Sequence, residues 1–398
     1  MSSGPRVVVV GAGIVGAACA YFLRRAGAEV TVLDAGPIAG GASSANEGSL
    51  RVSGRPPGPG LELARWSREL WEEISAAPGG EAIGLVARGA LAVAASPAGY
   101  ARLAARVAAH RAAGLEVVEV PAGELAGYEP RLAETLAGGA FYPEDAQVQP
   151  VRATAHLLAG VEVRCGQRVR AVETDGSKKV IGVRVDAGPR PGAAGGRGRS
   201  GWGSTLVSAD AVVNAAGVAG GELAATVGTR LPISPRRGFV LATEPLWNAR
   251  EAPPIRRLVY AAEYPDQVAS DQAGPTTAAV VAPTRAGTVL IGSSRERVGF
   301  DPAYSSAVLR RLAAQAVALF PFLARVRVVR AYHGYRPFVP DHLPVIGPDP
   351  RVSGLWHACG HEGAGVVLAP ATGALIAALI GGADPELDPT PFAPARFA

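Results

Sequence analysis

The strongest constraint on the fold lies in the first 34 residues, where strand, glycine-rich turn, helix and second strand follow one another directly. Residues 6–10 (RVVVV) form a β-branched run, which is typical of a strand buried on both faces. GAGIVG follows at 11–16, residues 14–26 carry apolar side chains at helical spacing, and Gly27 is a typical helix stop. Residues 29–33 predict a second strand. The segment therefore predicts a βαβ unit.

The GxGxxG spacing at this place predicts a dinucleotide-binding site. Gly11 permits a tight turn, Gly13 lets the backbone approach a pyrophosphate, and Gly16 lets the helix pack on the strand. The helix N-terminus offers free N–H groups and partial positive charge to phosphates. Asp34, 18 residues after Gly16, can accept hydrogen bonds from ribose hydroxyls and would repel a 2′-phosphate, which disfavours NADP. The fingerprint alone does not decide between NAD and FAD.

Composition excludes several other classes of protein. The 398 residues are 48% hydrophobic and carry a net charge of only +5, which argues against disorder and for two domains or one two-part fold. Cys19, Cys165 and Cys359 are too few and too scattered for a disulfide framework or an iron–sulfur cluster, and they fit a reducing compartment. The 51 glycines follow no collagen-like period.

The positive charge does not indicate a nucleic-acid partner. Almost all of it is arginine, because lysine occurs only at 178 and 179. The pairs Arg236-Arg237 and Arg256-Arg257 are short and separated, and we interpret them as scattered, solvated side chains. No HExxH or paired Cys-x-x-Cys motif is present, so no metal site is predicted.

No segment predicts a membrane span. Residues 7–23 belong to the βαβ unit, and the apolar stretch 366–380 contains Pro370 and Gly373 and is too short to cross a bilayer. We expect a cytoplasmic protein, with peripheral attachment to the inner face of the membrane as the alternative.

The rest of the chain predicts a mixture of helices and short strands. Residues 186–204 are rich in Gly, Arg and Pro and are interpreted as a mobile hairpin insertion, and the tail 383–398 as an extended surface segment. Helices are expected at 61–76, 97–113, 151–159, 303–319 and 369–381. Strands are expected at 84–95, 161–165, 168–174, 180–185, 205–207, 210–216, 237–243, 278–282, 288–292 and 325–333.

The segment after the second strand carries a family resemblance. GGASSANEGS at 40–49 is similar to a GxASxxNxG-like segment of FAD-dependent amine and amino-acid oxidoreductases of the D-amino-acid oxidase / glycine oxidase superfamily. Residues 46–71 resemble one branch in particular, the flavin subunits of hydrogen cyanide synthase, opine oxidase and D-hydroxyproline dehydrogenase. Further family-like motifs occur in order at NAAG 214–217, RG 237–238 with TEP 243–245, IGSSRE 291–296, GYRPFVPDHLPVIG 334–347 and GHEGAGVVLAPATG 360–373.

The resemblance implies FAD as the cofactor and assigns many residues to its binding. It also implies an α/β fold: a Rossmann-like FAD-binding domain of discontinuous segments (1–83, 147–235 and 335–398) with an inserted α+β antiparallel-sheet substrate domain (84–146 and 236–334). The residues expected to contact FAD are Gly11, Ala12, Gly13, Ile14, Val15, Gly16, Leu33, Asp34, Ala35, Gly41, Ala42, Ser43, Ser44, Asn46, Glu47, Gly48, Ser49, Val169, Ala215, Ala216, Gly217, Gly334, Gly360, His361, Glu362, Gly363, Ala364, Gly365, Val366 and Val367.

The resemblance also implies how an amino-acid substrate is bound. Arg336 matches the arginine that binds the substrate carboxylate in related enzymes, and its planar guanidinium suits a two-hydrogen-bond contact. Tyr335 is expected either in the same pocket or packed in the core. His361 is expected to act as a catalytic acid or base, or to hydrogen-bond the backbone or flavin. One departure is Gly363, where some glycine-oxidase relatives have arginine.

These features predict an FAD-dependent amino-acid dehydrogenase or oxidase acting on a CH–NH or CH–NH₂ group. The resemblance implies a substrate such as D-hydroxyproline, proline, sarcosine, glycine or an opine, and partner subunits that are a small iron–sulfur electron carrier and a second flavoprotein. The alternatives are an oxidase that uses O₂ directly, an NAD-dependent dehydrogenase, and a non-catalytic subunit that holds FAD.

Overall fold

The structure, a computed structural model, describes residues 4–186, 204–248, 251–270 and 272–398. Over these residues the chain forms nineteen strands and nine α-helices. The helices are α1 (Ile14–Arg25), α2 (Pro59–Ala76), α3 (Pro97–Ala112), α4 (Leu125–Tyr128), α5 (Pro150–Leu157), α6 (Gly220–Ala225), α7 (Tyr264–Val268), α8 (Ser306–Leu319) and α9 (Gly365–Gly381). The strands are β1 (Arg6–Val10), β2 (Glu29–Asp34), β3 (Ser49–Leu50), β4 (Ala90–Ala94), β5 (Val118–Pro121), β6 (Gly138–Tyr142), β7 (Ala146–Gln147), β8 (Glu162–Cys165), β9 (Val169–Thr174), β10 (Val180–Asp186), β11 (Ser204–Ser208), β12 (Ala211–Asn214), β13 (Ser234–Thr243), β14 (Leu258–Ala261), β15 (Thr276–Pro283), β16 (Val289–Arg295), β17 (Val328–Phe338), β18 (Val345–Pro348) and β19 (Leu355–Cys359).

The predicted βαβ unit lies at the centre of a six-stranded sheet. The strand order is β18-β19-β12-β1-β2-β8, and every neighbouring pair is parallel except β18 with β19. The valines of β1 are buried, as expected for a strand covered on both faces. Helices α1 and α9 share a core cluster with alternate residues of this sheet. The sheet is therefore the predicted Rossmann-like parallel layer.

A second, largely antiparallel sheet of eight strands has the order β17-β13-β16-β15-β14-β4-β6-β5. All its neighbouring pairs are antiparallel except β4 with β14. A three-stranded sheet (β11-β10-β9) and a two-stranded one (β3-β7) complete the sheets of the described residues. The predicted combination of a parallel sheet and separate antiparallel sheets is confirmed. The exact domain limits stay a prediction, and two of them, before 236 and before 335, fall inside β13 and β17.

Helix α9 begins at Gly365, four residues before the predicted start, and contains Pro370. Proline has no N–H, so the carbonyl of Val366 loses its usual helical partner. The Trp71 Nε1–H donates to this carbonyl at 3.0 Å, and the Ser67 hydroxyl accepts from the Ala371 N–H at 3.1 Å. Two side chains of α2 therefore replace hydrogen bonds that the proline disturbs, which allows the helix to continue through it.

The extended α9 also changes the basis of the membrane prediction. Among the described residues, the helical stretch 362–381 is long and apolar enough by itself to span a bilayer, contrary to the argument from length. However, 67% of its apolar window is buried inside the protein. It has the character of a core helix.

Several predicted element bounds need correction. The strand expected at 84–95 is confined to 90–94, and helix α8 begins at Ser306, after Ser305 accepts a hydrogen bond from the Val308 N–H at 3.3 Å. The tail is not simply extended, because it contains 3₁₀ turns at 390–392 and 394–397. The insertion expected at 186–204 lies, apart from its two end residues, outside the described residues.

Candidate functional site

The glycine turn brings β1, α1 and β12 into close backbone contact. Gly11 has a φ of 116°, and a Cβ there would lie 2.3 Å from the Ala215 carbonyl oxygen. A Cβ on Gly16 would lie 1.9 Å from the Gly11 carbonyl oxygen. Both positions therefore require glycine, and for Gly16 the cause is the predicted helix–strand packing.

The loop at 40–49 contacts the N-terminus of α1. The Ser43 hydroxyl accepts from the Ile14 N–H at 2.9 Å. Asn46 fixes the loop, because its side-chain amide donates to the Ser43 carbonyl at 2.8 Å and accepts from the Gly48 N–H at 2.8 Å. Asn46 thus has a structural task that explains its place in the motif.

Asp34 is held at the end of β2 by backbone amides. Its two carboxylate oxygens accept from the Ala12 and Gly36 N–H groups, each at 2.7 Å. A carboxylate oxygen has a second lone pair, so each oxygen can accept a further hydrogen bond. The carboxylate borders the cleft described next, where a ribose could reach it.

These segments line a cleft of about 690 Å³, which we call the nucleotide cleft. It runs from the glycine turn to the start of α9. Predicted FAD-contact residues that line it are Gly11, Gly13, Ile14, Val15, Leu33, Asp34, Ala35, Gly41, Ala42, Ser43, Val169, Ala215, Ala216, Gly217, Gly334, His361, Glu362 and Gly365.

A second cavity adjoins this cleft on the side of the eight-stranded sheet. We call it the arginine pocket, because its charged and phenolic side chains are those of Arg51, Arg55, Arg295, Arg336, Glu47, Glu362 and Tyr264. Predicted FAD-contact residues that line it are Ile14, Ala42, Ser43, Asn46, Glu47, Ser49, Gly334, Glu362, Gly363, Ala364, Gly365, Val366 and Val367. Ala12, Gly16, Ser44, Gly48 and Gly360 line neither cavity. Several residues, among them Ile14, Ser43 and Gly365, line both cavities, which shows that the two cavities meet.

Arg336 reaches the arginine pocket from β17. Its Nη1 donates to the Ser294 carbonyl at 2.9 Å and its Nη2 donates to the Ser293 hydroxyl at 3.1 Å. Each bond uses one hydrogen, so each terminal nitrogen keeps a second N–H for a ligand. Burial, and next the charge of Arg295, lower the pKa of Arg336. The side chain is thus fixed in a site that favours an added negative charge.

Tyr335 does not line the arginine pocket, which corrects the expectation that it shares a pocket with Arg336. Successive side chains of a strand point to opposite faces, so Tyr335 lies on the nucleotide cleft. Its hydroxyl donates to the Asp301 carbonyl at 2.8 Å, and its ring contacts Phe300 and His333.

His361 is buried, and one of its ring nitrogens is engaged in a hydrogen bond. Its Nε2 lies 2.9 Å from the Thr372 hydroxyl, which itself donates to the Leu368 carbonyl at 2.8 Å. The hydroxyl must therefore accept from Nε2–H, which fixes the tautomer. Burial, helped by the charge of Arg55, lowers the pKa of His361 to about 3, so the ring stays neutral. The partner is a side-chain hydroxyl, where the prediction had the backbone or the flavin, and a catalytic role of His361 stays a prediction.

The pair Arg236-Arg237 is buried, which corrects its interpretation as solvated. Arg236 is 1% exposed and forms an ion pair with Glu362, and Arg237 donates to Glu296 at 2.8 Å. The other Glu362 oxygen lies 3.1 Å from His342 Nδ1. Burial alone would raise the pKa of Glu362, but His342 and Arg236 outweigh it and lower the pKa to about 2.

Sequence reasoning assigned no role to four residues of the arginine pocket. Arg51 and Arg55 lie in the family-like segment 46–71, and Arg295 lies in the IGSSRE turn. The motifs that carry the family resemblance therefore contain these three arginines. Tyr264, at the first position of α7, lies in no motif. These residues are distant in sequence and meet only in the folded chain.

The residues present fit FAD. The glycine cradle would admit a pyrophosphate, and the two joined cavities would admit a nucleotide and a ring system. Helix α9 begins beside both cavities with no side-chain cap, so its positive end is available to a ligand. The 11–16, 40–49 and 360–367 segments would hold the cofactor. Among the described residues, no group of three His, Cys, Asp or Glu side chains is placed to hold a metal ion.

Comparisons with known proteins give a consistent result. The family model described as DAO, FAD dependent oxidoreductase, matches residues 6–379. The chain is 31% identical to glycine oxidase of Pseudomonas aeruginosa over 98% of both chains, and 30% identical over 69% of this chain and 58% of the relative to a hydrogen cyanide synthase subunit of the same species. The crystal structure of glycine oxidase from Geobacillus kaustophilus superimposes with a TM-score of 0.83 at 28% identity, covering 100% of each chain.

Proposed function

The chain belongs to the DAO family of FAD-dependent oxidoreductases, and from that premise we propose that it oxidises an amino acid whose α-carboxylate is bound by Arg336. Membership confirms the predicted family, the FAD cofactor and the class of enzyme, which acts on C–N groups. What the proposal adds is the binding mode and the nature of the substrate, a primary or secondary amine acid.

The observation that carries the proposal is the fixed guanidinium of Arg336 beside the segments that would hold FAD. Its two bonds to Ser293 and Ser294 orient it before a ligand arrives, so little ordering is needed on binding. Gly363 lies against it, and a Cβ there would be 3.5 Å from the Arg336 Cδ. The missing side chain at 363 leaves the approach to the guanidinium open, where an arginine would occupy it.

The protein's own contribution is orientation and exclusion of water. The chemistry that bound FAD supplies is acceptance of a hydride from the substrate carbon that carries the nitrogen. A substrate with a neutral amine needs no strong protein base, which agrees with the neutral, hydrogen-bonded state of His361. The α9 N-terminus would stabilise negative charge that develops next to it.

The electron acceptor and the partners are part of the proposal. The chain has one dinucleotide fingerprint, so it does not bind both FAD and NAD in the usual way, and electrons would pass to O₂, a quinone or a partner. One relative is named a subunit, which supports a partner. The iron–sulfur and second flavin subunits, and the cytoplasmic location, stay predictions.

The test is anaerobic reduction of the purified FAD-loaded protein by a panel of D- and L-amino acids, proline, hydroxyproline and sarcosine, followed by bleaching of the flavin absorbance. Arg336→Lys keeps the charge and loses the planar fork, so we expect kcat/KM to fall about a hundredfold, and further in Arg336→Ala. Arg330→Ala, an exposed arginine on the same strand, is the matched control and should behave as wild type.

Two outcomes would contradict parts of this proposal, and a third would identify the electron acceptor. Full activity of Arg336→Ala would remove the carboxylate contact. A flavin that no amine reduces would favour a non-catalytic subunit. Equal turnover with and without an added artificial acceptor, in air, would identify O₂ as the acceptor and exclude the need for a partner.

A further inference from the structure

The arginine pocket contains more positive charge than one carboxylate requires. Arg336 alone can form a bidentate contact, yet Arg51, Arg55 and Arg295 line the same cavity. Arg295 is 2% exposed and is the last residue of β16, directly after the Ser293 and Ser294 that hold Arg336. A second cationic group therefore lies beside the proposed carboxylate site.

Two of these arginines have buried donors without a partner. Among the described residues, neither Arg51 Nη1 nor Arg295 Nη1 has a hydrogen-bond acceptor, although both atoms are buried. Leaving a buried charged donor unpaired is costly, so such groups are normally paired or bind a ligand. The unpaired atoms mark a place where an acceptor is missing.

The ring of Tyr264 joins the two arginines into one cluster. The Arg51 guanidinium lies 4.0 Å and that of Arg295 lies 4.5 Å from the ring centroid. Both contacts are cation–π interactions, which position the two guanidiniums on the same ring. We call Arg51, Tyr264 and Arg295 the second cluster.

The acidic side chains of the pocket do not neutralise this cluster. Glu362 is already paired with Arg236, outside the set of pocket arginines, and with His342. Glu47 is the other carboxylate of the lining. Four guanidiniums against two carboxylates leave an excess of two positive charges before Arg236 is counted. One substrate carboxylate accounts for one of them.

We propose that the second cluster binds a second acidic group of the substrate, so that the enzyme acts on an amine that carries two carboxylates. Arg336 takes the carboxylate next to the reacting carbon, and Arg51 and Arg295 take the other. This inference rests on the proposed function of Arg336. It narrows the substrate class from amine acids in general to amino or imino dicarboxylates.

The first test compares substrates that differ by one carboxylate. Sarcosine and iminodiacetate share the same secondary amine and α-carboxylate, and alanine and aspartate form a second such pair. We expect kcat/KM of the FAD-loaded enzyme to be at least about tenfold higher for the dicarboxylate of a pair, because a charge-assisted contact is involved. A monocarboxylate preferred in both pairs would overturn the proposal.

Variants then test whether the second cluster causes the preference for dicarboxylates. Arg295→Gln should abolish the dicarboxylate preference, so that the ratio of kcat/KM between the two substrates of a pair falls to about one, whereas Arg336→Lys should impair both substrates alike and keep that ratio. Arg51→Gln tests the same cluster from a different element, should Arg295→Gln fail to hold FAD. Arg330→Ala is again the control. A preference that survives in both Gln variants would contradict the assignment.

A binding measurement keeps this inference separate from the proposed function. Succinate and propionate contain no amine and are not oxidised, and their binding is followed by perturbation of the flavin absorbance. We expect succinate to bind at least about tenfold more tightly, and Arg295→Gln to remove the difference. If no amine reduces the flavin but succinate is still preferred, the proposed function fails and the second anion site stands. Equal binding of the two acids would overturn the second site.

Discussion

The nucleotide cleft and the arginine pocket adjoin each other but are built by opposite means. The cleft is bounded mainly by backbone and small side chains, from the turn after β1, the loop at 40–49 and the end of β12. The arginine pocket has long charged side chains from 47–55, β16, β17 and the turn before α9, together with a tyrosine from α7. The cleft presents the partial charges of backbone groups in a space of fixed shape, whereas the pocket presents the full charges of several side chains.

This difference determines what each cavity can select. Backbone amides and a helix N-terminus recognise phosphates without a buried full charge, and close backbone packing fixes the width of the space. In the pocket, the arginines remain partly unpaired until a ligand supplies acceptors. A substrate is therefore selected by the number and position of its negative charges, and changes of shape should damage the cleft more than the pocket.

The sharpest contrast is between two glycines: Gly16, which packs behind the glycine turn of the cleft, and Gly363, which lines the arginine pocket. A Cβ at Gly16 would lie 1.9 Å from the Gly11 carbonyl, so Gly16→Ala must separate α1 from β1. We expect purified Gly16→Ala to contain no FAD and to lose about 1–3 kcal/mol of stability through overpacking. Flavin absorbance of the purified protein and denaturant unfolding measure these effects.

Gly363→Ala is the matched control. Its Cβ would be in ordinary contact with Arg336, at 3.5 Å, so FAD content should equal that of wild type. Full FAD content in Gly16→Ala would show that the cleft tolerates the displacement and would remove the distinction between the two regions.

The same contrast explains how much could be predicted from the sequence. The cleft depends on local spacing, so Gly11 and Gly16 could each be given a mechanical task that agrees with the geometry of the turn. The ribose contact of Asp34 stays a prediction. The family-like segments at 40–49 and 360–367 could be placed by resemblance. Nothing local, however, shows that Arg51, Tyr264 and Arg295 meet.

The proximity of these side chains depends on which strands pair and in what register, and no local sequence pattern indicates this. Arg295 and Arg336 come together because β13 pairs with β16 on one side and β17 on the other. Tyr335 was expected beside Arg336 because the strand was predicted to end at 333, whereas β17 continues to Phe338 and its alternation separates the two side chains. Arg236-Arg237 appeared solvated because their partners, Glu362 and Glu296, are 126 and 59 residues away.

A substitution of Glu362 tests how much the buried charges next to the pocket contribute to stability, because Glu362 lines the pocket and pairs with Arg236 behind it. Its ion pair with Arg236 is buried, and removal of one partner from such a pair costs about 3 kcal/mol. We therefore expect Glu362→Gln to be less stable by about that amount at pH 7, with Glu244→Gln, an exposed ion pair with Arg327, as the matched control that changes little. Urea unfolding measures both.

The effect has a defined pH dependence. Because the pKa of Glu362 is lowered to about 2, its stabilisation is fully present above the ordinary carboxyl pKa of about 4.5 and is lost as the pH falls towards 2. The difference between wild type and Glu362→Gln should shrink over that range. A difference that is constant down to pH 2 would mean that the charge of Glu362 is not what stabilises the site.

Tyr264 provides the finest test of the pocket, because its own charge would compete with a substrate carboxylate. Burial alone would raise its pKa, but Arg295 and Arg51 outweigh this and lower the pKa to about 8, with Glu47 opposing and Arg336 adding to them. Ionisation of Tyr264 would place a negative charge between the two guanidiniums. Succinate should therefore bind about tenfold more weakly at pH 9 than at pH 7, because only about one molecule in ten keeps a neutral Tyr264 at pH 9.

Tyr264→Phe should remove this loss of affinity and leave succinate binding nearly flat over the same range. The ring would still contact Arg51 and Arg295, so affinity at pH 7 should change little. Tyr304→Phe, an exposed tyrosine outside the pocket lining, is the matched control and should keep the wild-type pH profile. A profile that falls equally in Tyr264→Phe would assign the titration to another group. Propionate, which reaches only Arg336 in this scheme, should depend on Tyr264 less than succinate does, and a dependence of equal size would mean that the two anion sites are not separate.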